Sequence, residues 1–503
     1  MPSWVIVFAV AVVYLALSLL VGMHPGRRAT KTASGFVAGD RSLGLFVMYF
    51  ITGATIFSAF AFLGAPGWVY SRGAAAFYIL AYGCLAFLPF YFLGPRAARL
   101  GRRFGFVTQA EMVAERYGSR ALAGLMALVS VLGFIPYLAL QMKGAGYVLA
   151  SVTRGHVPEW LGAAIVYGVV LIYVMRSGVL GVGWTNTFQG ILMMGLAWGL
   201  GLYLPYELYG GVGPMFDAIA ETRPELLRAP GLAASGESWS WGEYGSAVVI
   251  SIVGFSVWPH LFMKAFTARD DRTIRRTVVL YPTFQLFLVP LFLIGFSGVL
   301  FNPAPSSPDQ ILPHMLMQME LPAVLVGLFC AGALAASMSS GDAMAHAAAS
   351  IAVRDGVVTT LGVSLDERQQ RDWIRVGVVL SMIAAYVLTV SYDKDLVALL
   401  LYAYGPIGQF APVVFATLYS RRATGAGVFA GLLAGSLVTI VLDVRPDWRP
   451  WPIHAGVYGL VANLVTLAIV SAATPQRRDA GREDRYLDVA AGRSTDAAPA
   501  ALR

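Results

Sequence analysis

Apolar stretches of about 20 residues recur from one end of this chain to the other, and they constrain its fold more than any other feature. They fall at roughly 3–23, 43–70, 74–94, 121–152, 158–175, 181–207, 243–266, 277–301, 321–353, 373–391, 395–419, 425–443 and 452–473. Each is long enough to cross a hydrocarbon core of roughly 30 Å. Inside such a core every backbone N–H and C=O must be paired within its own segment, so the stretches are expected to be helices. The expected fold class is all-α and polytopic, with about 13 transmembrane helices.

Composition agrees. Charged residues make up 13% of the 503 positions, where a soluble protein carries about a quarter. The net charge of +8 does not point to nucleic acid, because the basic residues sit mostly in short loops. Arg27, Arg28, Lys31 and Arg41 follow the first segment, and Arg96, Arg99, Arg102, Arg103, Arg116 and Arg120 follow the third. Arg269, Arg272, Arg275 and Arg276 follow the seventh, and Arg477, Arg478, Arg482 and Arg485 the last. The positive-inside rule then predicts a multi-pass protein of the bacterial inner membrane, N-terminus outside and C-terminus in the cytoplasm. Val5 to Val21 lacks the basic start and the A-x-A-like exit of a secretory signal, and reads as a retained helix. Cys84 and Cys330 both lie in apolar segments and read as small buried residues, with no disulfide or metal site.

Two loops, about 208–242 and 302–320, are long enough to hold short surface helices. The tail 474–503 is polar and is expected to be disordered. It is too short for an output domain, which argues against a membrane sensor.

Three segments do not read as plain spans. The second contains Gly53-Ala54-Thr55-Ile56-Phe57-Ser58 and then Gly64-Ala65-Pro66-Gly67. The seventh contains Gly254-Phe255-Ser256-Val257-Trp258-Pro259-His260, and the ninth runs Ala335-Ala336-Ser337-Met338-Ser339-Ser340-Gly341-Asp342. Breaks in a membrane helix free backbone carbonyls, which are tolerated where they line a cavity. Interrupted helices at matching positions of two halves mark the binding site of an inverted-repeat transporter. Segments 2–6 and 7–11 would be the two repeats. Ser339 and Ser340 have two readings: back-bonding to their own helix, or, with freed carbonyls, an uncharged oxygen cage for a monovalent cation.

These residues resemble the sodium:solute symporter family. The markers are Leu43-Gly44 through Gly67, Phe104-Gly105-Phe106-Val107-Thr108, Trp184-Thr185-Asn186-Thr187-Phe188-Gln189-Gly190, Trp258-Pro259-His260 and Ala336 to Asp342. Phe104 to Gly146 and Pro259 to Arg276 look most like bacterial monocarboxylate permeases. The resemblance implies a five-plus-five inverted-repeat core of the LeuT type over 43–419. An extra helix and loop (1–42) would precede it, and two helices (420–473) would follow.

It also implies a sodium site made of the carbonyls of Ala54, Phe57 and Ala336 and the hydroxyls of Ser339 and Ser340, with Asp342 on the inward ion path. Ser58, Ala61, Tyr78, Tyr137, Gln141, Phe255 and Trp258 would face the substrate. Some relatives carry an aspartate in place of Asn186, implicated in a second sodium position, and its absence argues for one sodium per cycle. Ile56, Ala61 and Tyr78 replace polar side chains of the sugar carriers, and Ile56 replaces an acid of the proline carriers. Lys143 is the one basic residue well inside an apolar segment and a candidate for a substrate carboxylate, although six residues place it off the face of Tyr137.

The implied function is alternating-access uptake of a small organic solute with sodium, the solute being a short monocarboxylate. The alternatives are a neutral solute such as an amino acid, or a sensor that binds without transport. No enzyme constellation appears. The expected partners are the solute, sodium and the lipid bilayer, with no nucleic acid.

Overall fold

The computed structural model describes residues 3–25, 32–319, 321–391, 405–474 and 480–493. Arg27, Arg28, Lys31, Arg477 and Arg478 lie outside these residues, as does part of the expected crossing 395–419.

The principal helices are α1 (Ser3–Met23), α2 (Leu45–Ile56), α3 (Ala65–Arg72), α4 (Phe77–Leu85), α5 (Phe90–Phe104), α6 (Arg120–Val152) and α7 (Glu159–Tyr209). They continue with α8 (Trp241–Phe255), α9 (Pro259–Thr267), α10 (Asp271–Gln285), α11 (Leu288–Gly298), α12 (Ala323–Ile351), α13 (Glu367–Ser391), α14 (Phe410–Tyr419), α15 (Gly425–Val444), α16 (Ala455–Ala473) and α17 (Ala480–Ala491). Among the described residues eight helices are long and apolar enough to cross a bilayer, or ten if each bent pair counts as one span.

Two breaks fall where Gly, Ser and Pro predicted them. The chain bends by 61° between α2 and the following Phe60–Leu85 stretch, and by 47° between α8 and α9. The third expected break is absent. α12 runs unbroken as α-helix through Ser337, Ser339, Ser340 and Asp342 to Ile351. Its alanines favour helix, and the three serine hydroxyls bond to neighbouring helices, so this segment is a rigid wall. It widens into π-helix only over Ala352–Thr360.

α7 has 51 residues, about 75 Å if straight, far beyond one crossing. Gly178 interrupts it with φ 54° and ψ −145°. On a straight helix Tyr173 and Asn186 would stand about 20 Å apart, yet both side chains bond to the carboxylate of Asp342. The chain therefore doubles back at Gly178, and the two arms correspond to the expected segments 158–175 and 181–207. A β-carbon at Gly178 would lie 2.5 Å from the Phe36 carbonyl oxygen.

The two long loops hold short helices, Val212–Thr222 and Ile311–Gln318. The tail, expected to be disordered, instead contains α17. Tyr486, Leu487, Val489 and Ala490 are buried, and the Tyr486 hydroxyl donates to the Met112 carbonyl at 2.8 Å. This apolar stripe at helical spacing, with Phe104 stacked on Tyr486 at 5.7 Å, outweighs the polar average of the segment. Cys330 is buried as expected, but Cys84 is half-exposed.

Candidate cation and solute site

α2 stops at Ile56, because Phe57 takes φ −77° and ψ 75°. In a continued helix the N–H groups of Ser58 and Ala59 would bond the carbonyls of Ala54 and Thr55. Here the Ser58 N–H bonds the Ile56 carbonyl at 2.8 Å. The Ala59 N–H bonds Oε1 of Gln141, from α6, at 2.9 Å. The Ala54 and Thr55 carbonyls are thereby released from the helix.

The hydroxyls of α12 meet them. Ser339 donates to Ala54 at 2.9 Å and is also 3.1 Å from the Ala336 carbonyl. Ser340 donates to the Thr55 carbonyl at 2.7 Å. Ala54, Thr55, Ala336, Ser339 and Ser340 are all fully buried. Gly53 also lets α2 close on α10, where the ring atoms of Phe284 would be 2.4 Å from a β-carbon at that position.

Each hydroxyl that gives its proton to a carbonyl keeps lone pairs to offer, and the oxygens involved are uncharged. A hard monovalent cation fits such a donor set. Of the five expected sodium ligands, Ala54, Ala336, Ser339 and Ser340 are brought together. The hydroxyls reach Ala54, Thr55 and Ala336 rather than Phe57, whose ring packs on Phe287 at 4.5 Å. Thr55 was missed, although a break frees consecutive carbonyls and could have revealed it.

Beside this cluster lies a cavity of about 30 Å³, room for a water or two. Solute entry therefore requires helix movement. Five of the seven expected substrate positions line it: Ser58, Ala61, Tyr137, Phe255 and Trp258. Ile56, Phe60, Ile79, Leu261 and Leu288 supply apolar wall, and Tyr82, His260 and Gln285 add polar groups. Tyr137 and Ser58 line the cavity together, and the Tyr137 ring lies 5.6 Å from that of Trp258.

Two expected contacts are placed elsewhere. Gln141 spends its Oε1 on the Ala59 N–H, so it clamps the break. Tyr78 belongs to a separate cavity of about 490 Å³ with Trp68, Arg72 and Trp239. Tyr82, one turn along α4, takes the position expected for Tyr78, and the two rings are 5.2 Å apart. Lys143 is half-buried and does not line the small cavity.

Asp342, one residue past Gly341, has no exposed surface. It accepts from Tyr173 at 2.7 Å, Thr185 at 3.2 Å and Asn186 at 3.1 Å. His260 entered the sequence reading only as part of the Trp258-Pro259-His260 marker and Lys264 not at all, yet they are 5% and 3% exposed. Lys264 sits near the end of its apolar segment, where a lysine ordinarily reaches out to water.

The sequence model of the sodium:solute symporter family matches residues 36–435. The chain belongs to the sodium:solute symporter family. This symporter-family chain is 28% identical over 498 residues to the symporter YhjB of Bacillus subtilis (strain 168), with 95% of this chain and 98% of that one covered. A monocarboxylate transport permease of Rhizobium johnstonii is 24% identical, with 87% and 90% covered. The sodium/pantothenate symporter of Haemophilus influenzae is also 24% identical, with 86% and 89% covered. A solved sodium-coupled sialic acid symporter, in a substrate-bound outward-open state, superimposes with a TM-score of 0.78 at 18% identity, covering 93% of this chain and 98% of that one. The family and the fold are those of membrane transporters, not enzymes.

Proposed function

We propose that this symporter imports a short monocarboxylate together with one sodium ion by alternating access. The observation that carries the reading is the adjacency of two sites along the break after α2. The oxygen cluster of Ala54, Thr55, Ala336, Ser339 and Ser340 lies on one side. The small cavity reached by Ser58 lies on the other. Sodium held by both α2 and α12 would order the break and so shape the cavity wall, which couples the two ligands.

The cavity favours a small, partly apolar anion. Ser58, Tyr137 and His260 offer donors near one another, while Ile56, Ile79 and Leu288 offer only hydrocarbon. Among the described residues Nδ1 of His260 is buried without a hydrogen-bond partner. An unmet buried polar atom costs about 1–3 kcal/mol, and a bound carboxylate would satisfy it. The similarity to a monocarboxylate permease supports the same class, although a pantothenate symporter is equally similar. The orientation follows the basic loops, with the N-terminus outside and the C-terminus in the cytoplasm.

A charge at −100 mV is worth about 2.3 kcal/mol and a tenfold sodium gradient about 1.4 kcal/mol. A monoanion moving with one sodium carries no net charge and draws only on the sodium gradient. Proteoliposomes with an inward sodium gradient should accumulate L-lactate, pyruvate or acetate. Uptake of none of these, with sodium-driven uptake of pantothenate or proline, would reject the monocarboxylate. A binder that does not transport would fail labelled counterflow of every solute.

A further inference from the structure

Gln285 ends α10 and lines the small cavity together with Gly83 of α4. It is 2% exposed, a polar side chain set beside apolar wall. Residues four apart share a helix face, and Nε2 of Gln285 donates to the hydroxyl of Tyr281, four residues back. That bond spends the donor end of the carboxamide and fixes which way it faces. The acceptor end, Oε1, reaches across to α4. A β-carbon at Gly83 would fall 2.5 Å from it, so the missing side chain is what admits the oxygen. Among the described residues the bond to Tyr281 is the only one Gln285 makes.

The donors of the cavity belong to other helices. The His260 ring of α9 is 5.4 Å from that of Phe134, which precedes Tyr137 by about one turn of α6. Ser58 follows the break after α2. An ionised carboxylate only accepts, so it belongs with Ser58, Tyr137 and His260. Facing Oε1 it would set two acceptors against each other. Oε1 needs a donor carried by the solute, and in so small a space that donor sits on the carbon next to the carboxylate. A keto oxygen there cannot donate, and a bare hydrocarbon leaves Oε1 unpaired. An ammonium brings a charge and several donors, yet no Asp or Glu is among the residues lining the cavity. A hydroxyl, with one proton to give, fits.

We infer that Gln285 reads a 2-hydroxyl on the solute, so that the preferred monocarboxylate is a short 2-hydroxy acid. The inference rests on the monocarboxylate reading and narrows it. The carboxylate goes to the donors, the hydroxyl to Oε1, and the alkyl end to Ile56, Ile79 and Leu288. Gln285 then sets selectivity, and Gly83 gives it the room to do so.

L-Lactate and propionate differ only in the hydroxyl, so their sodium-driven uptake in proteoliposomes, each as kcat/KM, isolates the contact. A site built around a hydroxyl rejects the analogue that lacks it, and the unmodified protein should prefer L-lactate by about tenfold. Q285M is of similar length but has no amide. It should erase the preference by lowering L-lactate uptake while propionate uptake is kept. G83A should do the same by displacing the carboxamide. Equal loss of both solutes in folded Q285M would make Gln285 a mere support for Tyr281 and overturn the inference, as would an unchanged preference. Should Q285M fail to fold, Q285M/Y281F leaves no unpaired hydroxyl behind and carries the same test. Equal uptake of the two acids by the unmodified protein would overturn this inference and leave the monocarboxylate standing. Uptake of neither would reject the monocarboxylate, and the hydroxy acid with it.

Discussion

The hydroxyl of Ser340 donates to the Thr55 carbonyl across 2.7 Å, joining an unbroken helix to the end of an interrupted one. The neighbouring Ser339 does the same with Ala54. One wall of the site is rigid and the other has a free end, so ligands at this junction can bias the position of α2 against α12.

Gln141 holds the free end from the opposite side. Q141L would leave the buried Ala59 N–H without an acceptor, a cost of about 1–3 kcal/mol, and should lower Tm and maximal uptake together. Q141E keeps an acceptor oxygen and should recover most of the loss. Thermal unfolding of both variants, alongside initial uptake rates, distinguishes a clamp from a substrate contact. A clamp leaves the KM for solute nearly unchanged.

His260 should act on the solute rather than on sodium. H260F is expected to raise the KM for lactate roughly tenfold, about 1.4 kcal/mol, with sodium activation unaltered. Uptake kinetics at saturating sodium measure the first effect, and a sodium titration at saturating lactate measures the second.

Gly341 lets α12 approach α7. A β-carbon there would fall 2.3 Å from the Tyr167 hydroxyl oxygen and 2.7 Å from its ring. Tyr167 in turn holds Ser337 at 3.0 Å. G341A should therefore destabilise the protein by about 1–3 kcal/mol through overpacking, seen as a fall in Tm. Adding Y167A removes the clash and should recover part of it.

The C-terminal helix is expected to stabilise the face it covers. Arg99 donates to the Ala490 carbonyl at 3.0 Å, and the Arg116 guanidinium lies 5.5 Å from the Tyr486 ring centre. Y486A removes the ring, its hydroxyl bond and that cation contact, and should cost about 3 kcal/mol. Unfolding monitored by tryptophan fluorescence would register it.

The helices were legible because hydrocarbon leaves the backbone few choices, and the breaks after Ile56 and Phe255 were legible because Gly, Ser and Pro mark them. The continuity of α12 was not. The same small residues that weaken a helix also let helices touch, and only the partners of Ser337, Ser339 and Ser340 decide between the two. Thr55 was missed because the resemblance carried over the carbonyls of Ala54 and Phe57, whereas the helix end at Ile56 frees the adjacent pair Ala54 and Thr55. Gln141 and Tyr78 share helix faces with cavity residues, but each is engaged elsewhere, which periodicity cannot foresee. Lys264 escaped notice because a lysine near a segment's end usually reaches water, and here α9 turns it inward.

The most direct measurement is the sodium dependence of uptake by S339A/S340A in proteoliposomes. The double variant retains both freed carbonyls but neither hydroxyl. Sodium activation is expected to shift at least tenfold to higher concentration, or to vanish, while the protein remains folded by thermal unfolding. Uptake that stays as dependent on sodium, at the same half-saturating concentration, would contradict a cation held between Ala54, Thr55 and the paired serines.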